Sequence, residues 1–198
     1  MLSDLLQTLA LILLAAFIFH YGTMSLISIV KGSVPPVPSN ARSVGILAGI
    51  LRGMFPKGRF TLLDIGSGSG KAALAIAGLF PKARVIGVEH SPYSFVLSRI
   101  RALFARRPNV RFYFADFFNV DLKKLAPDVA YMYLSRHVSA EIAGKLACEL
   151  PGIAVVSNRF SLPLRLCRRF DFKDLFHGPI LVYESYLAGD ERVHDRGA

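Results

Sequence analysis

Apolar and polar positions alternate along residues 60–187 in pieces that suit strands and helices in turn. Short apolar runs of strand length are separated by longer segments in which apolar residues recur every three or four positions. The pattern predicts strands at 60–65, 84–89, 110–115, 128–134, 152–158, 164–172 and 179–187, and helices at 69–80, 93–105 and 140–150. Repeated units of this kind predict an α/β fold with a mostly parallel sheet, helices on both faces and a C-terminal antiparallel edge hairpin.

The first thirty residues carry a different pattern. Residues 5–30 contain no Asp, Glu, Lys or Arg, and residues 9–19 are an unbroken apolar run. About 20 apolar residues cross a bilayer as a helix, so residues 1–30 are predicted to be a single transmembrane anchor. Asp4 stands where a cleaved signal peptide would carry basic residues. We assign no catalytic role to His20, which is expected to belong to the aromatic belt at the membrane interface.

Charge sets the predicted orientation of the anchor. The chain carries 24 Lys and Arg against 14 Asp and Glu, a net charge of +10, and the first charges after the apolar run are basic. The positive-inside rule therefore predicts that residues 41–198 lie on the cytoplasmic side of a bacterial inner membrane, or on the matrix side of a mitochondrial one.

The segment 31–40 joins the predicted anchor to the predicted domain. Its three prolines exclude a helix or a central strand and indicate a stiff extended arm. At about 3.1 Å per residue such an arm reaches no more than ~30 Å. Pro36 and Pro38 are its predicted substrate-contacting residues, and Ser39 or Asn40 is positioned to cap a following helix.

Cysteine content bears on the chemistry of the domain. Cys148 and Cys167 have no C-x-x-C spacing, and the histidines do not cluster with them. The sequence therefore predicts neither a disulfide framework nor a metal site. Both thiols are expected to be reduced and buried.

A glycine-rich loop follows the first strand of the predicted sheet. Residues 64–71 read Asp-Ile-Gly-Ser-Gly-Ser-Gly-Lys. A dinucleotide loop would need glycine where Lys71 stands, and a P-loop would need a hydroxyl where Ala72 stands. An acid followed by G-x-G-x-G is instead typical of the loop that holds S-adenosylmethionine. The acid suits that ligand because a carboxylate attracts its ammonium group.

Two further acids end the next two strands. Glu89 is placed to accept hydrogen bonds from ribose hydroxyls, Asp116 from an adenine amino group, and Phe117 to stack on the base. The predicted cofactor site lies at the carboxyl ends of the strands and consists of Asp64, Gly66, Ser67, Gly68, Gly70, Glu89, Asp116 and Phe117. The alternatives are a glycine turn without ligand, a helix-capping Glu89 and a core Phe117.

These motifs resemble those of the class I S-adenosylmethionine-dependent methyltransferases. Within that class they resemble in particular the single-span mitochondrial protein-lysine methyltransferases that act on the ATP synthase c subunit and the adenine nucleotide translocase, and the bacterial relatives of these enzymes. The matching segments are Val34-Pro-Pro-Val-Pro38, Leu63-Asp-Ile-Gly-Ser-Gly-Ser-Gly70, Gly87-Val-Glu-His-Ser-Pro92, Phe114-Ala-Asp-Phe117 and Val155-Val-Ser-Asn-Arg-Phe-Ser-Leu-Pro163. The resemblance implies a Rossmann-like domain at 41–198, S-adenosyl-L-methionine as cofactor and a lysine acceptor.

The acceptor site is expected beside the fourth strand. Strand alternation places Tyr131, Tyr133 and Ser135 on one face, and Tyr133 and Ser135 are the predicted catalytic residues. Arg159 and Phe160 are predicted to form a neighbouring wall for the substrate. A core position for the tyrosines and a salt bridge for Arg159 are the alternatives.

Two other functions stay open. Basic clusters at 99–111 and 165–173 would suit a methyltransferase acting on RNA, a lipid or a small molecule. A membrane tether disfavours nucleic acid as the partner, so a membrane protein and the lipid bilayer are the expected partners. The second alternative is a non-catalytic, membrane-tethered module that binds the nucleoside or another protein.

Overall fold

A computed structural model describes residues 2–30, 40–171 and 178–187. The chain divides into two compact units, Met1–Val37 and Pro38–Ala198. The predicted proline-rich arm, including Pro36 and Pro38, lies outside the described residues apart from Asn40.

The described part of the first unit forms one long helix, α1, from Leu2 to Val30. Four consecutive apolar side chains, Leu11 to Leu14, are all exposed. The predicted helix is therefore present. Among the described residues, however, no helix meets the length and hydropathy that a membrane span requires, so the predicted transmembrane assignment is not confirmed.

Within the described residues, the second unit is built on a sheet of seven strands. The strands are β1 (Thr61–Ile65), β2 (Arg84–Glu89), β3 (Val110–Phe114), β4 (Val129–Met132), β5 (Ala154–Asn158), β6 (Leu164–Phe170) and β7 (Ile180–Leu187). Their order is β3-β2-β1-β4-β5-β7-β6. The first five strands pair in parallel, and β7 is antiparallel to both β5 and β6. The predicted Rossmann-like sheet with an antiparallel edge hairpin is confirmed.

The helices of this unit follow the predicted order with two additions. They are α2 (Ala41–Met54), α3 (Lys71–Leu79), α4 (Pro92–Ala105), α5 (Leu122–Leu125) and α6 (Arg136–Glu149). The side chain of Asn40 caps α2 by accepting a hydrogen bond from the Ser43 amide at 2.7 Å. Helix α5 and a short 3-10 helix at Phe117–Asn119 were not predicted, because neither is long enough to show a helical period.

Two hydrophobic layers cover the sheet, and strand alternation assigns each strand residue to one of them. Leu62, Val85 and Val156 pack in the layer that includes α2 and α3. Their sequence neighbours, such as Leu63 and Ile86, pack in the layer that includes α6. Residues two positions further along a strand return to the same face. The carboxyl ends of β1, β2 and β5 therefore present their last polar residues on the α2–α3 face.

The two cysteines are free and exposed, on α6 and β6 respectively. The prediction that they are buried is wrong. Strand β6 lies at the sheet edge, and the five residues from Arg165 to Arg169 are all exposed, so Cys167 has no layer to be buried in.

Candidate cofactor and acceptor site

The site lies where the strand order reverses. Strand β1 is flanked by β2 on one side and by β4 on the other, and Asp64 pairs in register with Gly87 and Tyr131. In open parallel sheets the crevice at such a reversal, beyond the carboxyl ends of the strands, is the ligand-binding position. Asp64 therefore stands at the centre of the candidate site.

Asp64 is a buried carboxyl group that lacks a full set of hydrogen-bond partners among the described residues. Its residue is 3% exposed, and its Oδ2 atom has no hydrogen-bond partner among the described residues. Burial, followed by the nearby Glu89 carboxylate, raises its pKa to about 7, against a smaller lowering by the Ala73 amide. A ligand cation placed against this group would favour its ionised form. The geometry thus suits an ammonium group.

Glu89 fastens the glycine loop. Its Oε2 accepts a hydrogen bond from the Gly68 amide and its Oε1 one from the Ser91 amide, each at 2.7 Å. The His90 Nδ1 atom lies 3.5 Å from Oε1. A carboxylate has about four lone-pair positions, so two hydrogen bonds leave room for hydroxyl donors. Since Ser91 precedes α4, the alternative reading of Glu89 as a partner of a helix N-terminus also describes its contacts.

The three glycines of the loop differ in what surrounds them. Gly66, Gly68 and Gly70 all have positive φ, at 66°, 54° and 76°. A Cβ at Gly70 would lie 2.6 Å from the Phe112 ring, and one at Gly66 would lie 2.5 Å from Leu134. At Gly68 no described atom lies within 4 Å of the added Cβ. Packing therefore fills the space beside two glycines, whereas the third leaves the main chain open to a ligand.

The rest of the loop is held from α4. The Arg101 guanidinium donates a hydrogen bond to the Ser69 carbonyl at 3.1 Å. The Ser67 hydroxyl oxygen is buried and has no partner among the described residues. Ser67 and Asp64 thus place two unsatisfied polar atoms in the same loop region, as expected of a site that a polar ligand completes.

At the end of β3, the two residues predicted to contact adenine, Asp116 and Phe117, make contacts within the protein. Asp116 Oδ1 accepts a hydrogen bond from the Phe118 amide at 3.0 Å and so caps the 3-10 helix. Phe117 is buried in the layer that includes α6, whereas Phe118 and Phe114 are 39% and 55% exposed. The roles of Asp116 and Phe117 toward adenine stay predictions, and two neighbouring rings are more accessible than the predicted one.

Three of the predicted acceptor residues come together beyond β4 and β5. The rings of Tyr133 and Phe160 are stacked, with centres 6.4 Å apart and planes at 24°. The Arg159 guanidinium carbon lies 5.7 Å from the centre of the Phe160 ring. Ser135 does not continue the alternation with Tyr133 as predicted, because β4 ends at Met132 and Ser135 is the N-cap residue of α6.

Asn158 is a candidate that the sequence analysis missed. It ends β5 and is fully buried, and its Nδ2 donates to the Tyr131 hydroxyl at 3.4 Å. Its Oδ1 has no partner among the described residues. The following residue, Arg159, has a φ of 79° and donates its amide to the Pro179 carbonyl at 2.8 Å. A polar residue at the carboxyl end of an apolar strand, the signal used for Asp64 and Glu89, would have identified it.

Comparison with known protein families matches residues 64–166, just over half of the chain, to the ANTKMT methyltransferase domain. The chain belongs to this family. The predicted resemblance to class I S-adenosylmethionine-dependent methyltransferases is confirmed, and S-adenosylmethionine is the cofactor. The residues of this ANTKMT-family chain fit that group, since an unpartnered Asp64 oxygen suits its ammonium and the open face of Gly68 gives it room.

Individual relatives share parts of the ANTKMT-family chain. A release factor glutamine methyltransferase of Buchnera aphidicola is 36% identical over 63 residues, which are 32% of this chain and 22% of the relative. The chain thus spans about a fifth of the length of the curated relatives it matches.

Solved structures show the same fold. An RNA methyltransferase from Salinibacter ruber, in complex with S-adenosyl-L-homocysteine, has a TM-score of 0.65 at 24% identity, over 76% of this chain and 94% of that one. A precorrin-6y C5,15-methyltransferase from Geobacter metallireducens has a TM-score of 0.51 at 18% identity, over 70% and 86%. At these identities the likeness concerns the fold.

Proposed function

We propose that this protein transfers a methyl group from S-adenosylmethionine to a lysine side chain of a membrane protein. The observation that carries the proposal is the stacked pair of Tyr133 and Phe160 beyond the ends of β4 and β5. Aromatic surfaces attract the alkyl chain and the ammonium group of lysine through dispersion and cation–π interactions. The family match and the resemblance to lysine methyltransferases favour the same acceptor.

On the cofactor side, the proposed roles fall on four residues. Asp64 binds the ammonium group of the cofactor, and the Gly68 main chain lets the ligand approach closely. Glu89 accepts hydrogen bonds from ribose hydroxyls with its remaining lone pairs. Asp116 keeps its predicted role toward the adenine amino group. When bound, the cofactor supplies an electrophilic methyl group on a sulfonium.

On the acceptor side, the protein must hold a neutral amine in line with that methyl group. Transfer would form a nitrogen–carbon bond as the carbon–sulfur bond breaks, so the acceptor residues would have to hold the nitrogen about 3 to 3.5 Å from the methyl carbon. The ordinary lysine pKa of about 10.4 is lowered by desolvation and by like charge. Arg159 supplies a positive charge near the Phe160 ring. Asn158 Oδ1 accepts a hydrogen bond from the bound amine, and the proton lost on activation passes to water.

We also propose that the protein acts at a membrane, with the catalytic unit on the cytoplasmic or matrix side. Two features favour this location. Residues 5–30 contain no Asp, Glu, Lys or Arg, and the remaining chain is strongly basic. Anionic lipid surfaces attract such basic chains.

The test is methylation of native membranes. Full-length protein is incubated with membranes and methyl-labelled S-adenosylmethionine, and the labelled species is isolated and hydrolysed in acid. We expect methyl-lysine from a membrane protein, and none with the Asp64→Asn variant. Label in a lipid, in RNA or in a small molecule would replace the lysine acceptor. Cofactor binding without any transfer would leave the non-catalytic alternative.

A further inference from the structure

Helix α4 exposes a row of apolar side chains to solvent along one of its faces. Its inward side contributes Phe95 and Ala102 to the hydrophobic layer and buries Ser98 completely. Its outward side carries four exposed apolar residues, which we call the α4 stripe: Val96 (54% exposed), Ile100 (46%), Leu103 (75%) and Phe104 (80%). The spacing of these positions places them on adjacent parts of one helix face. A helix that packs one side and exposes apolar residues on the other has an interaction surface.

The chain segment that contains the α4 stripe is positively charged. Between Ile65 and Ala115 the chain has eight Lys and Arg residues and a single acid, Glu89, which is buried. Seven of the eight cations are exposed: Lys71, Lys82, Arg84, Arg99, Arg106, Arg107 and Arg111. Arg99 lies within α4 beside the stripe, and Arg106 and Arg107 follow its last turn. No exposed carboxylate of this segment offsets that charge.

This combination of features selects one class of partner. Interfacial helices bury a Leu- and Phe-rich face at the boundary between headgroups and acyl chains, while basic side chains reach the lipid phosphates. RNA would engage the arginines but would leave Val96, Ile100 and Leu103 in water. A second copy of the chain would bring like charges together at the interface. We propose that the α4 stripe docks the catalytic unit onto the surface of an anionic bilayer.

The contacts of α4 connect this surface to the cofactor site. Arg101 on α4 holds the Ser69 carbonyl of the glycine loop, and Ser91 at the start of α4 donates to Glu89. A 14-residue helix is about 21 Å long. An α4 that lies on the bilayer therefore keeps the cofactor loop close to the headgroups. The inference deepens the proposed membrane function, on which it rests, but it requires neither a lysine acceptor nor a membrane span.

A site-specific probe separates contact at α4 from any lipid binding by α1. Full-length protein carrying Cys148→Ser, Cys167→Ser and Leu103→Cys is labelled with an environment-sensitive fluorophore. The emission of the fluorophore is measured on vesicles of phosphatidylcholine with and without phosphatidylglycerol. Its quenching is measured with nitroxide-bearing lipid in the same vesicles. We expect a blue shift and quenching on the anionic vesicles, which high salt reverses. A probe at Glu141→Cys on α6 should show neither.

Charge reversal tests the arginines. Arg99→Glu with Arg106→Glu should weaken the probe's lipid contact by at least about tenfold, because each arginine near an anionic surface contributes roughly a fivefold factor. The matched pair Lys123→Glu with Arg168→Glu makes the same change in net charge on α5 and β6, and should leave most of the contact intact. Thermal unfolding of each variant confirms that it is folded.

Four outcomes would overturn the proposal. Two concern lipid: probe emission that does not shift on anionic vesicles, and an equal emission shift on phosphatidylcholine alone. Two arise without lipid: an emission shift that grows with protein concentration, which points to a second copy, and an emission shift caused by an RNA oligonucleotide. None of these readings involves methyl transfer. Failure of the lysine acceptor and failure of the α4 contact are therefore observed separately.

Discussion

The cofactor edge and the proposed acceptor edge of the site are built from different chemical groups. The cofactor edge, from Asp64 to Glu89, uses main-chain amides and two carboxylates that lie close together in the sequence. The acceptor edge, from Tyr131 to Phe160, uses two stacked rings, a buried amide and one guanidinium. One edge therefore depends mainly on charge, and the other mainly on shape and apolar contact.

The difference shows where the protein gives up stability for binding. At the cofactor edge, Asp64 is buried beside another carboxylate and one of its oxygens lacks a partner among the described residues. At the acceptor edge the buried atom without a described partner is the Oδ1 of Asn158, a neutral amide, whose Nδ2 donates to Tyr131. Burying a carboxylate costs more than burying a neutral amide oxygen, so most of the electrostatic cost lies at the cofactor edge.

The largest effect should come from removing the buried charge at the cofactor edge. Asp64→Asn keeps the shape of the side chain but cannot carry a negative charge. We expect cofactor affinity to fall by at least about 100-fold, since an opposing charge for the ligand ammonium is lost. Calorimetric titration measures this, and unchanged affinity in the folded variant would contradict the role of Asp64.

The same substitution should stabilise the ligand-free protein above neutral pH. Burial raises the pKa of Asp64 to about 7 from its ordinary 3.8, so the folded state binds the proton more tightly than the unfolded chain. The stability linked to this proton is complete below about pH 4 and is lost as the pH rises to 7. The full loss is about 4 kcal/mol.

Denaturant unfolding of both proteins at pH 5 and pH 8 checks the sign. The wild-type protein should lose free energy of unfolding over this interval relative to Asp64→Asn, which has no charge to bury. Parallel pH profiles for the two proteins would show that Asp64 is already ionised and compensated in the folded state.

A smaller effect is expected at the second carboxylate. Glu89→Gln retains one oxygen acceptor but places an amide NH2 where Gly68 or Ser91 now donates. Cofactor affinity should fall by about 1.5 to 3 kcal/mol, the usual range for a hydrogen bond to a charged group. Glu141→Gln, the same change at an exposed position on α6, is the control. Equal affinities for the two variants would remove Glu89 from the cofactor site.

The two edges also differ in how far the sequence predicts them. The cofactor edge follows from a local motif, because the chain that forms the loop also supplies Asp64, and Glu89 ends the next strand. Most of the strands were predictable for a similar reason, since their apolar residues form short local runs, as in β4 and β5. The acceptor edge joins Tyr133 to Phe160, 27 residues apart, and only the pairing of β4 with β5 brings them together.

Short elements account for most of the remaining differences. The 3-10 helix at Phe117–Asn119 turns the Phe117 ring into the core and leaves Phe118 exposed. Three residues have no readable period, so the sequence offers no basis for choosing between the two rings. The early start of α6 at Arg136 removes Ser135 from the strand pattern in the same way.

At the acceptor edge, loss of a ring should affect the substrate and not the cofactor. Phe160→Leu keeps an apolar side chain but removes the stacked surface and the cation–π contact. We expect the KM for the acceptor to rise by about 3- to 10-fold, corresponding to roughly 1 kcal/mol. The cofactor dissociation constant should stay unchanged. Phe55→Leu likewise removes a stacked ring, the one on Phe60 ahead of β1, outside both edges and the α4 stripe, and an equal rise in KM there would contradict the assignment.

The smallest expected effect on stability tests the open face of the glycine loop. Gly68 has a φ of 54° with no described atom within 4 Å of an added Cβ, and Gly58 has a φ of 65° with only an ordinary contact to Phe80 at 3.8 Å. Alanine at either position should therefore cost about 1 kcal/mol of unfolding free energy, because only the left-handed backbone is penalised. Cofactor affinity should fall in Gly68→Ala alone, since its methyl group occupies the space through which a ligand reaches the main chain. Unfolding curves and calorimetric titrations of the two variants make the comparison. If both alanines leave cofactor binding intact, the free space beside Gly68 is not part of the cofactor site. The cofactor edge then consists of Asp64 and Glu89 without the loop between them.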